Sequence, residues 1–259
     1  SYADPVSTYQ TNVMGTVYVL EAIRLSSSIK AAVMVTTDKC YENREWDWPY
    51  RENDRLGGYD PYSSSKACME LLVASYRNSY FSQGCAAIAT ARAGNVIGGG
   101  DWAEDRLLPD LIRALNSDQT IIVRNPHAIR PWQHVLEPLA GYLRLAEFLY
   151  RQGHCYAEAW NFGPESTSCQ SVDWLIEQVA NRWPMLRKQL HCGVQQHETH
   201  FLTLDSSKAK ARLGWHNRWS LTTGLEKTLD WYEQYRLGSD MKGLCWSQID
   251  SYNEAGWKS

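Results

Sequence analysis

Long apolar runs and an excess of positive charge are both missing from this chain of 259 residues. Its apolar runs, such as Ala31–Val35, are far shorter than the roughly 20 residues that a helix needs to cross a bilayer. Its 26 basic side chains are outnumbered by 29 acidic ones, which gives a formal charge of −3. We therefore expect a soluble protein whose partners include neither a membrane nor a nucleic acid.

Closely spaced cysteines are missing as well. The seven cysteines are odd in number, lie far apart and include no CxxC pair, which argues against a disulfide framework and against a thiolate zinc site. The HETH segment at 197–200 separates its histidines by three positions, unlike the HExxH zinc helix. The other candidate metal ligands nearby are His191 and Cys192. We expect no metal site, and a reducing cytoplasm is the expected location.

Two periodicities of apolar residues alternate along the chain. Helical spacing covers residues 5–23, 62–80, 107–116, 138–150, 172–183 and 221–235. Short apolar runs at 31–35, 85–91, 120–123 and 159–162 indicate strands, the first of them with the composition of a strand buried on both faces. This alternation predicts an α/β fold with a mostly parallel sheet, whose ligands bind beyond the carboxyl ends of the strands. No regular structure is predicted for residues 238–259.

Tyr62 and Lys66 lie one turn apart at the start of a predicted helix and therefore share a face. An ammonium beside a phenol favours the phenolate, so the pair suits general-base catalysis. Chance alone predicts about half of one YxxxK motif in this composition, so the pair by itself equally fits a solvated helix face. Thr37 and Asp38, at the end of a predicted strand, add a hydroxyl and a carboxylate.

Four ordered segments carry a family resemblance. They are TDKCYEN (37–43), YSSSK (62–66), RAGNVIGGGDW (92–102) and IRPWQHV (129–135). From residue 4 to about residue 231, the chain resembles the extended short-chain dehydrogenase/reductase family of nucleotide-sugar enzymes. Within that family, the segments are most similar to the branch of 4,6-dehydratases that acts on CDP-glucose.

The resemblance implies an order of domains. Residues 1–97 would form part of a Rossmann-type parallel sheet that binds NAD, with 132–163 returning to it. Residues 98–131 and 164–259 would form most of a smaller C-terminal domain that binds the nucleotide sugar. In the family, a glycine-rich turn that binds the dinucleotide pyrophosphate opens the chain. Because no such motif follows a predicted strand here, we expect this sequence to lack that segment and to bind NAD weakly by itself.

The resemblance also implies roles for residues at the strand end and on the helix. Tyr62 would take the proton from the sugar 4-hydroxyl as a hydride leaves C4 for NAD, and Lys66 would hold the cofactor ribose. Asn12 would support Lys66, so that all three lie against NAD; alternatively, Asn12 is a polar mid-helix residue facing water. Thr37 would hydrogen-bond the same sugar oxygen, and Asp38 would protonate the departing 6-hydroxyl.

Lys39 departs from the dTDP- and GDP-sugar dehydratases, which have a glutamate after the aspartate, whereas the CDP-glucose branch shares the lysine. A lysine acts as a base only if burial or a neighbouring cation lowers its pKa, and otherwise stabilises an enolate by its charge. Both roles stay open, as does a structural ion pair with Asp54 or Glu52.

Three further residues match positions that bind the nucleotide sugar in the family. Asn95 resembles an asparagine of that site, and Arg106 and Arg130 match cations that contact the diphosphate, for which a guanidinium is suited. The glycine run 98–100 either lets the backbone approach the ligand or forms a flexible turn. His134 stands where relatives often have tyrosine, and we give it little functional weight.

The implied activity is a dehydration of CDP-glucose that uses bound NAD, in the synthesis of deoxysugars for O-antigen lipopolysaccharide. The resemblance further implies a homo-oligomer, a dimer or larger, that pairs through helices near 8–23 and 62–80. A nucleotide-sugar 4-epimerase is the alternative on the same scaffold, although it needs no acid at C6 and so leaves Asp38 unexplained. A noncatalytic nucleotide-sugar-binding protein, which need not retain NAD, is the other.

Overall fold

The computed structural model describes residues 1–82, 86–190 and 201–256. They form two compact units, each assembled from separate stretches of chain. The first contains Ser1–Gly94, Pro138–Gly163 and Thr203–His216, and the second contains Asn95–Glu137, Pro164–Leu202 and Asn217–Ser259. The assignment of one domain to NAD and the other to the sugar nucleotide stays a prediction.

Helices and strands alternate along the described residues. The helices are α1 (Pro5–Tyr9), α2 (Gly15–Leu25), α3 (Pro61–Tyr76), α4 (Leu107–Asn116), α5 (Leu136–Gln152), α6 (Val172–Arg182), α7 (Ser207–Leu213), α8 (Leu221–Arg236) and α9 (Met241–Glu254). The strands are β1 (Ala31–Val35), β2 (Ala87–Ala93), β3 (Val96–Ile97), β4 (Thr120–Val123), β5 (Ile129–Pro131), β6 (Gln133–His134), β7 (Ala159–Phe162), β8 (Cys169–Ser171) and β9 (Arg187–Leu190). Within these residues, no helix is long and apolar enough to cross a membrane.

A parallel sheet in the order β1-β2-β7 forms the centre of the first unit. β1 pairs with β2 from Ala31 opposite Ala87 onward, and β2, which is buried along its whole length, continues against β7. Leu20 of α2 and Val73 of α3 pack with Ile88 of β2 in one apolar cluster. The predicted α/β class with parallel strands is confirmed.

The expectation that Ala31–Val35 is buried on both faces is wrong. Its first four residues are only partly buried, and Val35 is 47% exposed. β1 lies at the edge of the described sheet, and Ala32 and Met34 pack on the apolar cluster of α2 and α3. A continuous apolar run does not distinguish such an edge strand from a central one, because both have apolar side chains on at least one face.

The helices predicted over 5–23 and 62–80 are present, and each contains a π-helical turn. Gln10–Met14 joins α1 to α2, and Arg77–Phe81 follows α3. The first helix begins where the sequence indicates, with the Asp4 carboxylate accepting a hydrogen bond from the Ser7 amide at 3.0 Å. A π turn inserts residues into the helical repeat, which apolar spacing does not reveal.

Residues 203–205 return to the first unit and pair with the loop that follows β1. The Tyr50 amide donates to the carbonyl of Thr203 at 2.9 Å, and the Asp205 amide donates to the carbonyl of Tyr50 at 2.8 Å. Asn161 of β7 donates from Nδ2 to the same Tyr50 carbonyl at 2.9 Å. The late segment is therefore built into the hydrogen bonding of the early loop.

The second unit has its own apolar core, to which α4, α6 and α8 contribute Leu111, Ile176 and Leu225. Its strands pair two by two, β3 with β6 and β4 with β9 in parallel and β5 with β8 antiparallel. The predicted helix and strand that became α4 and β4 have the observed bounds. The region assigned no regular structure contains α9, of which Met241 and Leu244 pack against the core.

Candidate active site

The carboxyl end of β1 brings a hydroxyl and a carboxylate together. Thr36, Thr37 and Asp38 follow the strand and are all buried. Thr37 caps the short 3-10 turn Asp38–Cys40: its Oγ1 accepts a hydrogen bond from the Lys39 amide at 3.3 Å and donates one to Oδ1 of Asp38 at 3.0 Å. The turn therefore fixes both predicted groups side by side, and it packs on α3.

Tyr62 and Lys66 lie in the first two turns of α3. The helix begins after Asp60, whose carboxylate accepts hydrogen bonds from the amide and the hydroxyl of Ser63 at 3.0 and 2.6 Å. Pro61 occupies the first helical turn, where its missing N–H costs nothing. The ammonium of Lys66 lies 6.0 Å from the centre of the Tyr62 ring, so the two side chains share a face as their spacing predicts.

The ammonium of Lys66 is half-buried and has N–H groups that can bind a ligand. Burial lowers the pKa of Lys66, and the electrostatic effects of Cys40 and Glu70 oppose that shift. Among the described residues, no acceptor hydrogen-bonds this half-buried ammonium. Three N–H groups on a partly desolvated cation are suited to the hydroxyls of a sugar or ribose.

Asn12 lies in the π turn between α1 and α2 and reaches α3. Its Nδ2 donates to the hydroxyl of Ser65 at 2.9 Å, and that hydroxyl donates to the carbonyl of Tyr62 at 2.7 Å. The side chain is therefore engaged with α3, which contradicts the alternative that it simply faces water. Its contact is with the neighbour of Lys66, so support of Lys66 itself stays a prediction.

Lys39 is exposed, unlike its neighbours in the turn. Burial opposes ionisation of Asp60, but its hydrogen bonds at the start of α3 and the charge of Lys39 together lower its pKa. Asp54 and Glu52, the considered ion-pair partners, instead accept backbone amide hydrogen bonds at 2.7 and 2.9 Å. Within the described residues, the ion pair of Lys39 with either carboxylate is not observed.

A buried ion pair one turn beyond Lys66 was not anticipated. Glu70 is 2% exposed, and its two oxygens accept hydrogen bonds from Nε and Nη2 of Arg92, both at 2.9 Å. Burial opposes ionisation of Glu70, but Arg92 and the hydroxyls of Thr36 and Thr90 hold its pKa below the ordinary value. The sequence shows an acidic residue four positions after Lys66 and an arginine directly after the predicted strand 85–91, but nothing in their spacing pairs the two.

The three predicted substrate-binding residues lie in the second unit. The carbonyl of Asn95 accepts a hydrogen bond from the Gln133 amide at 3.0 Å. Arg130 is buried in β5, and its Nη1 donates to a backbone carbonyl of the same strand at 3.1 Å. Arg106 is exposed and forms an ion pair with Asp101 at 3.0 Å. The roles of all three stay predictions.

The glycine run is packed tightly against α8. A Cβ added to Gly99 would lie 2.0 Å from Cγ of Trp231, and one added to Gly98 would lie 2.7 Å from Cγ1 of Val135. The hydroxyl of Tyr232 then donates to the carbonyl of Asp101 at 2.8 Å. Position 99 therefore requires glycine because of an aromatic neighbour, a reason not considered from the sequence.

His134 is a core residue of β6. Its Nδ1 accepts a hydrogen bond from the Leu136 amide at 3.3 Å, and burial, with the charge of Lys227, lowers its pKa to about 4. A neutral, buried imidazole agrees with the expectation that His134 contributes little to function. The candidate metal ligands at 191–200 lie outside the described residues, namely His191, Cys192, His197 and His200.

Known proteins resemble this chain over most of its length. The sequence profile of the GDP-mannose 4,6-dehydratase family matches residues 1–228. The chain is 48% identical to a CDP-glucose 4,6-dehydratase of Salmonella typhimurium, over 98% of its own length and 73% of that protein. It is 28% identical to a UDP-glucose 4-epimerase of Rhizobium leguminosarum bv. trifolii, over 90% of this chain and 73% of that protein.

A solved structure with the same fold is a dTDP-glucose 4,6-dehydratase from Streptomyces venezuelae with NAD bound. The superposition covers 93% of this chain and 71% of the Streptomyces chain, with a TM-score of 0.77 and 22% sequence identity. This likeness shows a Rossmann-like α/β fold. From the profile match and the 48% identity it follows that the chain belongs to the GDP-mannose 4,6-dehydratase family.

Proposed function

We propose that this chain carries out an NAD-dependent dehydration of CDP-glucose to CDP-4-keto-6-deoxyglucose. The reaction would serve deoxysugar synthesis, as for O-antigen lipopolysaccharide. The observation that carries the proposal is the 48% identity to a CDP-glucose 4,6-dehydratase over 98% of the chain. The Asp38-Lys39 pair supports it, because its sequence resembles the branch that acts on CDP-glucose.

The first chemical task falls to Tyr62, which removes the proton of the sugar 4-hydroxyl. The ammonium of Lys66, on the same face of α3, favours the phenolate electrostatically. Thr37 directs its hydroxyl to Asp38 in the structure and is able to direct it to the sugar oxygen instead. These three residues place a base and a hydrogen-bond donor at one oxygen.

The second task is the loss of water across C5 and C6. A 4-keto group acidifies the C5 proton, so elimination needs one base and one acid. Asp38 protonates the departing 6-hydroxyl, and its burial keeps bulk water away from that proton. Lys39, exposed beside it, either removes the C5 proton or stabilises the enolate by its charge.

The residues on the face of α3 fit the ribose end of a dinucleotide. The test of that fit is the donor set of Lys66, whose N–H groups have no acceptor among the described side chains and backbone. NAD, when bound, would supply the hydride chemistry of the reaction, as acceptor of the hydride from C4 and, after the loss of water, as its donor to C6 while C5 regains a proton. Lys66 would hold the ribose hydroxyls, with Tyr62 beside it, and Asn12 would keep the first turn of α3 in place through Ser65.

The second unit would bind the nucleotide diphosphate, and the first would bind NAD. Arg130 and Arg106 would contact phosphate oxygens, for which planar guanidinium groups are suited. Arg106 would leave its ion pair with Asp101 to bind the phosphate. The loss of stability would be small, because exposed ion pairs contribute little to the free energy of unfolding. Asn95 would complete this site.

The proposal extends to the assembly of the protein and to its location. We propose that two or more copies pair through α2 and α3, which expose Tyr18, Val19 and Leu71 at 66%, 48% and 59% of their surfaces. A cytoplasmic location fits an enzyme that takes a nucleotide sugar. Sedimentation at high protein concentration tests the first point, since a strict monomer would contradict it.

The proposed reaction is tested by incubating the full-length protein with CDP-glucose and NAD. The mass of the sugar nucleotide is then measured by mass spectrometry. A product lighter by one water is expected. Tyr62→Phe should lower its formation by at least about 100-fold, the usual contribution of a general base. An isomer of unchanged mass would instead indicate 4-epimerisation, and unchanged CDP-glucose with full binding would indicate a noncatalytic protein.

A further inference from the structure

Glu70 is a buried carboxylate whose two oxygens are each hydrogen-bonded by one hydroxyl and one guanidinium nitrogen. Oε1 accepts from Thr36 Oγ1 at 2.5 Å and from Arg92 Nε at 2.9 Å. Oε2 accepts from Thr90 Oγ1 at 2.7 Å and from Arg92 Nη2 at 2.9 Å. Every donor around it is itself buried, so this carboxylate has a single well-defined orientation.

The carboxylate joins the two elements that carry the proposed chemistry. Glu70 follows Tyr62 and Lys66 at intervals of four along α3, so the three lie in one row of the helix. Thr36, which donates to Oε1, directly precedes Thr37 and Asp38. One side chain thus connects the row that holds the base to the strand end that holds the acid.

Stability alone does not account for such a pair. A buried ion pair is often no better for stability than apolar residues of the same volume, because desolvation offsets the attraction. A carboxylate does, however, impose direction on each donor, which an apolar contact does not. The arrangement around Glu70 is suited to fixing a geometry.

We propose that Glu70 is a positioning residue that sets the place of Thr37 and Asp38 relative to Tyr62 through its hydrogen bond to Thr36. This inference rests on the proposed function for the identity of the reacting residues. The hydroxyl of Thr36 transmits the effect, since the Thr36 amide also donates to the carbonyl of Ala91 and holds the backbone at that point. Loss of the hydroxyl would release the turn Asp38–Cys40 while leaving β1 paired.

Two isosteric variants separate positioning from stability. Thr36→Val and Thr90→Val each remove one hydroxyl that donates to Glu70, one from each carboxylate oxygen. Thr90 lies within β2, and neither of its sequence neighbours is a proposed site residue. Similar losses of melting temperature are expected for the two, because each leaves a buried carboxylate short of one donor.

The first readout needs no cofactor and no substrate. Hydrogen exchange of the amides of Lys39, Cys40 and Tyr41, which donate within the turn, is measured by mass spectrometry on the full-length protein. Thr36→Val should accelerate this exchange by at least about fivefold relative to Thr90→Val, because only the former releases the turn. Equal exchange in the two variants would overturn the proposal, whatever the reaction turns out to be.

The second readout is turnover of CDP-glucose. Thr36→Val should lower kcat by at least about tenfold with KM within about twofold, since small misplacements of reacting groups are costly, whereas Thr90→Val stays within about twofold in both. Faster exchange with an unchanged kcat would also overturn the proposal. A wild-type protein that leaves CDP-glucose unchanged would refute the proposed function, and the exchange readout would still decide the role of Glu70.

Discussion

Tyr252, on α9, donates a 2.8 Å hydrogen bond from its hydroxyl to Oε2 of the buried Glu137. The amides of Arg218 and Trp219 donate to the same carboxylate at 3.1 and 2.8 Å. The guanidinium of Arg218 lies 4.6 Å from the centre of the Tyr252 ring. A helix in the last twenty residues is thus attached to the start of α5 through one carboxylate.

Tyr252→Phe should lower the free energy of unfolding by about 1–3 kcal/mol, because it removes a donor from a buried carboxylate and keeps the ring. Chemical denaturation measures the loss. Tyr235→Phe is the matched control, since that side chain is 49% exposed and should change stability by less than about 0.5 kcal/mol. Equal effects of the two substitutions would contradict the contribution of the Tyr252 hydroxyl.

The buried His134 predicts a loss of stability in mild acid. Its pKa is lowered to about 4 by burial and by the charge of Lys227, against an ordinary value of 6.5. As pH falls below 6.5, the unfolded chain takes a proton that the folded chain refuses until about pH 4, so the free energy of unfolding decreases across that window. The full contribution is about 3 kcal/mol.

Denaturation of wild type and His134→Gln between pH 7 and pH 4 tests this slope. The wild type should lose more stability than the variant, whereas His127→Gln, at an exposed position, should follow the wild type. The wild type and the variant are compared because Glu137 also responds to pH. Burial raises the pKa of Glu137, so its uptake of a proton stabilises the fold as pH falls. Parallel curves for wild type and His134→Gln would show that His134 does not set the slope.

Asp38→Asn should block the loss of water. Asparagine keeps the size of the side chain and an acceptor for the Thr37 hydroxyl, but it has no carboxyl proton to give to the departing 6-hydroxyl. Formation of the dehydrated sugar nucleotide should fall by at least about 100-fold at an unchanged melting temperature. Asp54→Asn, in the loop after the same strand, serves as the control; wild-type turnover in Asp38→Asn would exclude Asp38 as the acid.

Gly99→Ala should destabilise the second unit by about 1–3 kcal/mol, because the new methyl group would overlap the ring of Trp231. Gly15→Ala is the matched control. A Cβ there would meet only the Gln10 carbonyl oxygen at 3.9 Å, and alanine favours a helix over glycine. Thermal melting of both variants decides the point: an unaffected Gly99→Ala would mean that the loop is free to move away from α8.

Much of this fold was readable from the sequence because its signals are local. The bounds of α4 and β4 follow from apolar spacing, and the shared face of Tyr62 and Lys66 follows from helical geometry. The pairing of Glu70 with Arg92 was not readable, since it joins a helix to a strand 22 residues away. Such a contact depends on the tertiary fold and leaves no local pattern in the sequence.

Two other elements could not be predicted from the sequence, for different physical reasons. The π turn at Gln10–Met14 changes the helical repeat without changing the apolar composition, so it left no trace in the spacing. α9 is polar over much of its surface, and it is fixed by a few contacts such as those of Cys245 with Trp231 and of Tyr252 with Glu137. Helices held by such contacts have weak periodicity.

The first unit has a consequence for synthesis on the ribosome. Its earliest stretch ends at Gly94, yet the residues that pair with Tyr50 begin at Thr203. At about 5–20 residues per second, the earliest stretch waits roughly 5–20 s for that partner while the second unit is still being made. During this interval the loop at Tyr50 lacks its hydrogen-bonding partner, so chaperone demand should depend on how fast codons between 95 and 202 are translated.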